Sequence, residues 1–308
     1  MMDVSKFGKV AVLMGGCSSE RDISLASGSA VLNALTEMHV NASGIDVSGD
    51  VFERLRAENF DRAFVALHGY LGEDGCIQGG LDVIGMPYSG CGVLASSICM
   101  NKWMTKMIWS GQGIPTPSFR VLDESIDADS LVAELGLPMI LKPASQGSSI
   151  GITKANSKEE IMVAWQCAHD LESTVIAEKW IDGQEYTAAI LAGHVLPLIR
   201  LETPRAFYDF DAKYHSNDTL YHCPCGLPEA QEMNIKEQSL LAFEVTSATG
   251  WGRVDLILDG EGQPWFLEIN TVPGMTDHSL VPMAAMAEGM GFNELVIRIL
   301  GTSLTEHA

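Results

Sequence analysis

The chain has 308 residues and predicts an α/β domain built on a parallel sheet, followed by two α+β domains. Three observations lead there. An apolar strand near the start runs into a glycine-rich turn and then a periodic helix. The same strand, loop and helix order recurs over residues 61–84. Beyond residue 138, short strands alternate with single helices and close in a hairpin over residues 251–268. Hydrophobic residues make up 46% and charged residues 19%, a balance of globular chains rather than disordered ones.

Lys9 to Met14 reads as a buried strand. Gly15-Gly16-Cys17-Ser18-Ser19-Glu20 turns, and Ile23 to Leu35 has helical spacing. Asp61 to Leu67 is a second strand, His68 to Gly75 a loop, and Gln78 to Ile84 a helix. Alternation of this kind implies a parallel sheet with ligand loops at its carboxyl edge, so the first domain spans 1–97. The middle unit, 98–183, opens with a helix from Ile98 to Trp109 that carries Lys102, then a Gly/Pro break over Gly111 to Pro117. A strand from Pro138 to Lys142, a small-residue loop from Ala144 to Gly151 and a strand from Ile152 to Lys154 follow. A helix from Lys158 to His169 and a strand from Thr174 to Ile181 complete the unit. The third unit, 184–308, holds strands at Glu185 to Leu191 and Val195 to Leu201. Residues 207–228 are polar and aromatic with little periodicity, the mark of a functional lid or of disorder. A helix from Glu229 to Thr249 precedes the hairpin of Trp251 to Leu258 and Gln263 to Glu268.

Forty acidic residues against nineteen Lys and Arg give a net charge of −21, a field that repels nucleic acid and small anions alike. Two like charges about 4 Å apart cost roughly 4 kcal/mol at an effective dielectric near 20. An anionic ligand therefore needs local lysines, arginines, helix N-termini or a metal. The cysteines number seven and are scattered, residues 1–9 are not leader-like, and no apolar run would span a bilayer. A reducing cytoplasm is the expected compartment, with no membrane or nucleic-acid partner. His222-Cys223-Pro224-Cys225 lacks the second pair that a metal site at ligand spacing needs.

The hairpin carries the strongest chemistry. Residues i and i+2 of a strand share a face, so Arg253 points with Asp255 and Glu268 with Asn270. Two carboxylates and an amide oxygen suit magnesium, and an adjacent arginine suits a developing negative charge; the plain alternative is a surface salt bridge. The loop after Lys142 can lay amides and hydroxyls over phosphates, although it is no Walker loop. Glu178-Lys179-Trp180-Ile181 ends a strand whose edge can pair with a purine, with Glu185 in reach of ribose hydroxyls; it reads equally well as an ordinary strand end. Glu20 follows Ser18 and Ser19 at a helix start, where a capping box and an ammonium-binding carboxylate are both open. Ser279 and Leu280 begin a helix that either receives a carboxylate or is simply capped by Ser279. Gly90-Cys91-Gly92-Val93-Leu94-Ala95 matches a dinucleotide pattern but lacks its acidic partner about twenty residues on, and reads as a turn before a helix.

Taken in order, Gly-Gly-Cys-Ser-Ser-Glu-Arg at 15–21, Ala-Leu-His-Gly at 66–69, Gly-Glu-Asp-Gly at 72–75 and Gly-Ser-Ser-Ile-Gly at 147–151 are specific. So are Glu-Lys-Trp at 178–180, Tyr-Asp-Phe-Asp-Ala-Lys-Tyr at 208–214, Gly-Arg-Val-Asp at 252–255 and Glu-Ile-Asn-Thr-Val-Pro-Gly-Met-Thr at 268–276. Over nearly its whole length the chain resembles the D-alanine–D-alanine ligase family of the ATP-grasp superfamily. The resemblance implies an ATP-grasp fold and ATP-dependent joining of two D-alanines through an acyl phosphate, for peptidoglycan precursors. It implies that Lys102, Lys142, Ser148 and Ser149 grip phosphates, and that Glu178, Lys179, Trp180, Ile181 and Glu185 hold the nucleoside. Lys213 would close the lid, and Asp255, Glu268 and Asn270 would bind two magnesium ions, which manganese can replace. Glu20, with Ser148 and Tyr214, would take the first D-alanine, beside His68. Arg253 and the Gly274 amide would face the oxyanion, and Ser279 and Leu280 the second carboxylate. A homodimer is also implied. Asn101 and Gln146 depart from the family's Asp and its frequent charged residue. Tyr214, rather than Phe, implies an amide instead of an ester product. A ligase for other acceptors, a nucleotide sensor without turnover and a dinucleotide oxidoreductase are the competing classes.

Overall fold

Strand β1 (Lys9–Met14) lies between β2 (Asn41–Asp46) and β3 (Arg62–Val65) in a parallel sheet, in register from Lys9↔Asn41 and Val10↔Arg62. The computed structural model describes residues 3–47, 49, 51–122, 126–203, 218–276 and 278–304. Helix α1 (Arg21–Glu37) returns across this sheet on a stripe of small and apolar residues, Ser24, Ser27, Gly28, Val31, Ala34 and Leu35. Helices α2 (Val51–Ala57) and α3 (Cys76–Val83) complete the parallel unit, as the strand and helix alternation predicts.

Helices α4 (Val93–Met100) and α5 (Lys102–Gly111) lead into the second sheet. That sheet contains β4 (Phe119–Leu122), β5 (Met139–Pro143), β6 (Thr153–Ala155) and β7 (Val175–Lys179), in the antiparallel order β4-β7-β5-β6. Helices α6 (Ala128–Leu135) and α7 (Lys158–His169) cover it. The third sheet contains β8 (Gly183–Leu191), β9 (His194–Val195), β10 (Ile199–Glu202), β11 (Leu220–His222), β12 (Trp251–Asp259) and β13 (Pro264–Asn270). Its order is β11-β10-β8-β12-β13, with β9 on β8. Helix α8 (Glu229–Glu244) packs on it, and α9 (Leu280–Ala287) and α10 (Phe292–Gly301) follow.

Several expectations change in detail. The helix expected from Ile98 to Trp109 is two helices, because Asn101 is extended and its side-chain oxygen accepts from the Met104 amide at 3.0 Å, capping α5. Pro197, which has no amide to donate, separates β9 from β10 where one strand was expected. Helix α8 ends at Glu244 rather than Thr249. Within the expected lid, residues 220–222 form β11 against β10, and residues 204–217, with Lys213 and Tyr214, lie outside the described residues. In the 90–95 pattern, residues 90–92 form the turn and Val93 to Ala95 already belong to α4.

The core of the first sheet reaches beyond residue 97: Trp251 and, from α10, Leu295, Val296, Ile299 and Leu300 join Val10, Leu13, Phe64 and Leu35. Arg62 ties the two ends of this body. Its Nε donates to the Phe7 carbonyl at 2.7 Å, and one terminal nitrogen to the carbonyl and hydroxyl of Ser303 at 2.9 and 3.0 Å. Arg62→Ala is expected to destabilise the fold by about 3 kcal/mol, since several carbonyls lose a charged donor together. A loss under about 1 kcal/mol in denaturant unfolding would show that water replaces those bonds without cost.

Candidate active site

Register assembles the hairpin face. Arg253 lies opposite Asn270 and Asp255 opposite Glu268, with a bulge between Asp255 and Leu256. On the other side of β12, Thr187 of β8 lies opposite Asp255. Asp255 is fully engaged. Its Oδ1 accepts from Arg253 Nε at 2.7 Å and from the Thr187 hydroxyl at 2.8 Å; its Oδ2 accepts from Arg253 at 2.7 Å and from the Asn270 amide at 3.0 Å. Glu268 pairs with Lys102 at 3.3 Å, and the same ammonium donates to the Gln146 carbonyl at 2.7 Å. The Gln146 contact uses the backbone, so the departure from a charged side chain there leaves this tie intact.

Asp255 and Glu268 line a cleft of about 270 Å³ between the second and third sheets, together with Lys142, Ser149, Glu178 and Trp180. Lys179, Ile181 and Glu185 complete its far wall. Glu178 is buried and shared by two lysines: Oε1 accepts from Lys142 at 2.7 Å, and Oε2 faces Lys106 at 2.9 Å. Burial is the largest influence and raises its pKa, but the two ammoniums together hold it below the ordinary carboxylate value.

The second half of the site surrounds Glu20. Its carboxylate accepts from the Ser148 hydroxyl and makes no cap to its own helix. Ser18 instead accepts from the Glu20 amide at 3.2 Å and donates to the His68 carbonyl at 2.7 Å. A Cβ at Gly69 or Gly147 would stand 2.7 Å from the Glu20 carboxylate, so both positions leave room for it. Ser279 likewise does not cap α9; its hydroxyl accepts from the Thr276 amide at 2.9 Å. A side chain at Gly274 would collide with that hydroxyl, at 2.9 Å from its Cβ. Leu280, buried, opens α9 beside it.

The loop carrying Gly274 hangs from the first domain. Glu73 accepts from the Gly69 amide at 2.8 Å with one oxygen and from the Val272 amide at 3.1 Å with the other. His68 Nε2 lies 3.3 Å from the Ser27 hydroxyl, and Ser27 accepts from the Met275 amide at 3.1 Å. Burial holds the His68 imidazole below its ordinary value, opposed by the Glu20 charge. Glu73 is pushed up to about 8 by burial first and by Glu20 second; its backbone donors and Arg253 only partly offset this.

The structure thus brings together Glu20 with Ser148, Lys102 with Glu268, Lys142 with Glu178, and Arg253 with Asp255 and Asn270. Tyr214 and Lys213 lie outside the described residues. Sequence reading gave no role to Lys106, Glu73 or Ser27. For Lys106 the signal was a lysine four residues after Lys102 on the buried face shared with Thr105 and Trp109; Glu73 stood in a motif without a partner to identify it. Among the described residues no group of three or more His, Cys, Asp and Glu gathers to hold a metal ion. Asp255, Glu268 and the Asn270 oxygen nonetheless fit magnesium, which takes one or two carboxylates and completes its shell with phosphates and water.

Two family models match: D-ala D-ala ligase N-terminus over residues 50–91 and D-ala D-ala ligase C-terminus over residues 108–301. The chain is 54% identical over 303 residues to the D-alanine–D-alanine ligase of Nitrosococcus oceani, covering 98% of this chain and 96% of that one. The D-alanine–D-alanine ligase of Bacillus anthracis superimposes with a TM-score of 0.87 at 35% identity, over 96% of this chain and 97% of that one. Its complex with ATP superimposes at 0.86 and 32%, over the same shares.

The Glu73 shift has a pH consequence. Its folded value near 8 exceeds the ordinary 4.5, so between those limits the folded chain keeps a proton that the unfolded chain has lost. This contribution is full below about pH 4.5 and is lost as pH rises through 8. Relative to Glu73→Gln, the unfolding free energy of the unaltered chain is expected to fall steadily from pH 5 to 8. Parallel curves for the two proteins would contradict the shift.

Proposed function

The chain belongs to the D-alanine–D-alanine ligase family of ATP-dependent ligases, and from that membership we propose that it joins two D-alanines with ATP, giving D-alanyl-D-alanine, ADP and phosphate. The observation that carries the reading is the 144–151 loop, which meets the Glu20 carboxylate through Ser148 and the Lys102–Glu268 pair through Gln146. An ammonium site and a phosphate site therefore adjoin one loop. Three domains, one to each sheet, belong to the same reading, although 97/98 falls within α4 and 183/184 within β8.

ATP occupies the cleft of Lys142, Glu178 and Trp180, with Lys179, Ile181 and Glu185 at the nucleoside and Ser149 at the phosphates. Magnesium, two ions that manganese can replace, would be held by Asp255, Glu268 and Asn270 and would neutralise phosphate charge. Glu20 receives the ammonium of the first D-alanine. Its carboxylate then lies where the γ-phosphoryl of ATP can reach it, and positioning with charge neutralisation drives transfer between two anions. Lys102 and Lys142 supply positive charge from this chain, joined by Lys213.

The amine of the second D-alanine attacks the acyl phosphate, the C–O bond to phosphate breaks, and a peptide bond forms. Arg253 and the Gly274 amide face the oxyanion; such donors are worth about 2.7–4 kcal/mol each. Ser279 and Leu280 receive the second carboxylate at the start of α9. His68, kept neutral by burial, adds no charge beside the first substrate. A cytoplasmic homodimer belongs to the same proposal, and sedimentation as a single 33.2 kDa species overturns the dimer.

Phosphate release from ATP across D- and L-amino acids, with product mass, tests the function. D-alanine alone should release phosphate and give the dipeptide. Equal D-alanine and D-lactate at neutral pH should give mainly amide, and mainly ester would refute the role of Tyr214. Arg253→Ala should lower kcat by about a hundredfold with ATP affinity nearly kept. Equal losses in both would remove Arg253 from the oxyanion.

A further inference from the structure

Lys106 is fully buried on α5, one turn beyond Lys102. It does not line the cleft. Its ammonium faces Glu178 Oε2 at 2.9 Å and donates to the Thr116 hydroxyl at 2.6 Å and the Pro117 carbonyl at 3.3 Å; it also sits 5.4 Å from the Phe119 ring centre. Thr116 in turn donates to the Phe266 carbonyl of β13 at 2.8 Å. Burying a lysine this completely costs several kcal/mol unless a paired charge offsets it. Here the offsetting charge is a carboxylate already paired with another lysine, Lys142.

Charge counting gives the reason. Glu178 and Lys142 alone sum to zero, and a buried neutral pair holds its ammonium on the carboxylate rather than presenting it to a phosphate. With Lys106 behind the same carboxylate, the three groups sum to +1. The surplus belongs to Lys142, the member of the two lysines that borders the cleft. We propose that Lys106 is a positioning residue for the nucleotide: it neutralises Glu178 from the side away from the cleft, so that the charge of Lys142 is available to the phosphates. Burial pulls the Lys106 ammonium down to about 8, and Glu178 opposes that pull, so the lysine stays charged at neutral pH. The inference rests on the cleft being the ATP site, which binding of ATP by the unaltered chain tests by itself.

The test is Lys106→Met, which keeps the stem and removes the charge, measured by calorimetry with ATP, ADP and adenosine. ATP and ADP should bind about tenfold more weakly and adenosine within threefold of the unaltered chain, because adenosine carries no phosphate. Equal weakening of all three, or unchanged ATP binding, overturns the proposal. Should Lys106→Met not fold, Lys106→Met/Glu178→Gln is measured instead, which removes the two opposed charges together and leaves Lys142 as the same surplus of +1. Without the carboxylate Lys106 has nothing to neutralise, so the ratio of ATP to adenosine affinity should stay within threefold of that of the unaltered chain. A tenfold fall in that ratio shows that Lys106 acts by another route and sinks the inference.

Discussion

Everything in the site depends on the pairing of β12 with β13. Because side chains alternate across a strand, one residue of slip in β13 would turn Glu268 and Asn270 to the face opposite Arg253 and Asp255. The register is held on both sides. β12 is paired with β8 along its whole length, and its neighbours Val254 and Leu256 are fully buried in the core beneath. The bulge after Asp255 adds local twist just beyond the opposed carboxylates.

Three carboxylates that line the cleft are each matched by cations. Asp255 is matched by Arg253, Glu268 by Lys102 and Glu178 by two lysines. A chain with net charge −21 can take up a polyanion only where such matching overcomes the general field. The cations come from α5, β5 and β12, so the matching depends on three separate elements meeting. The other half of the site depends on Ser27 and Glu73, two side chains beside the first sheet that fix the loop after the third, with His68 against Ser27. That loop is thus held by contacts between units rather than within one.

Much of this was legible in sequence, and the reason differs from place to place. The hairpin and its shared face follow from period-two alternation around a four-residue turn, and the parallel unit from strand and helix order. Strand β2 was not legible: Asn41-Ala-Ser-Gly-Ile-Asp has no apolar alternation and is a strand only because β1 pairs with it. Glu20 and Ser279 each had two readings that local spacing could not separate. Neither side chain caps its helix: Glu20 turns instead to Ser148, distant in sequence, and the hydroxyl of Ser279 to the Thr276 amide. The Glu178 carboxylate was assigned to the nucleoside without its lysines, because Lys106 and Lys142 lie on a helix and a strand whose approach no local pattern encodes. The motif order carried the family; it did not carry the charge arithmetic beneath the cleft.

The return of α10 to the first sheet has a bearing on biosynthesis. Residues 9–65 leave the ribosome first, yet Leu295, Val296, Ile299 and Leu300 seal their apolar surface only after about 230 further residues have been made. At roughly 5–20 residues per second, that interval is on the order of 12–46 s. For that time the nascent parallel sheet has an unfinished flank, and its completion waits on the synthesis of α10.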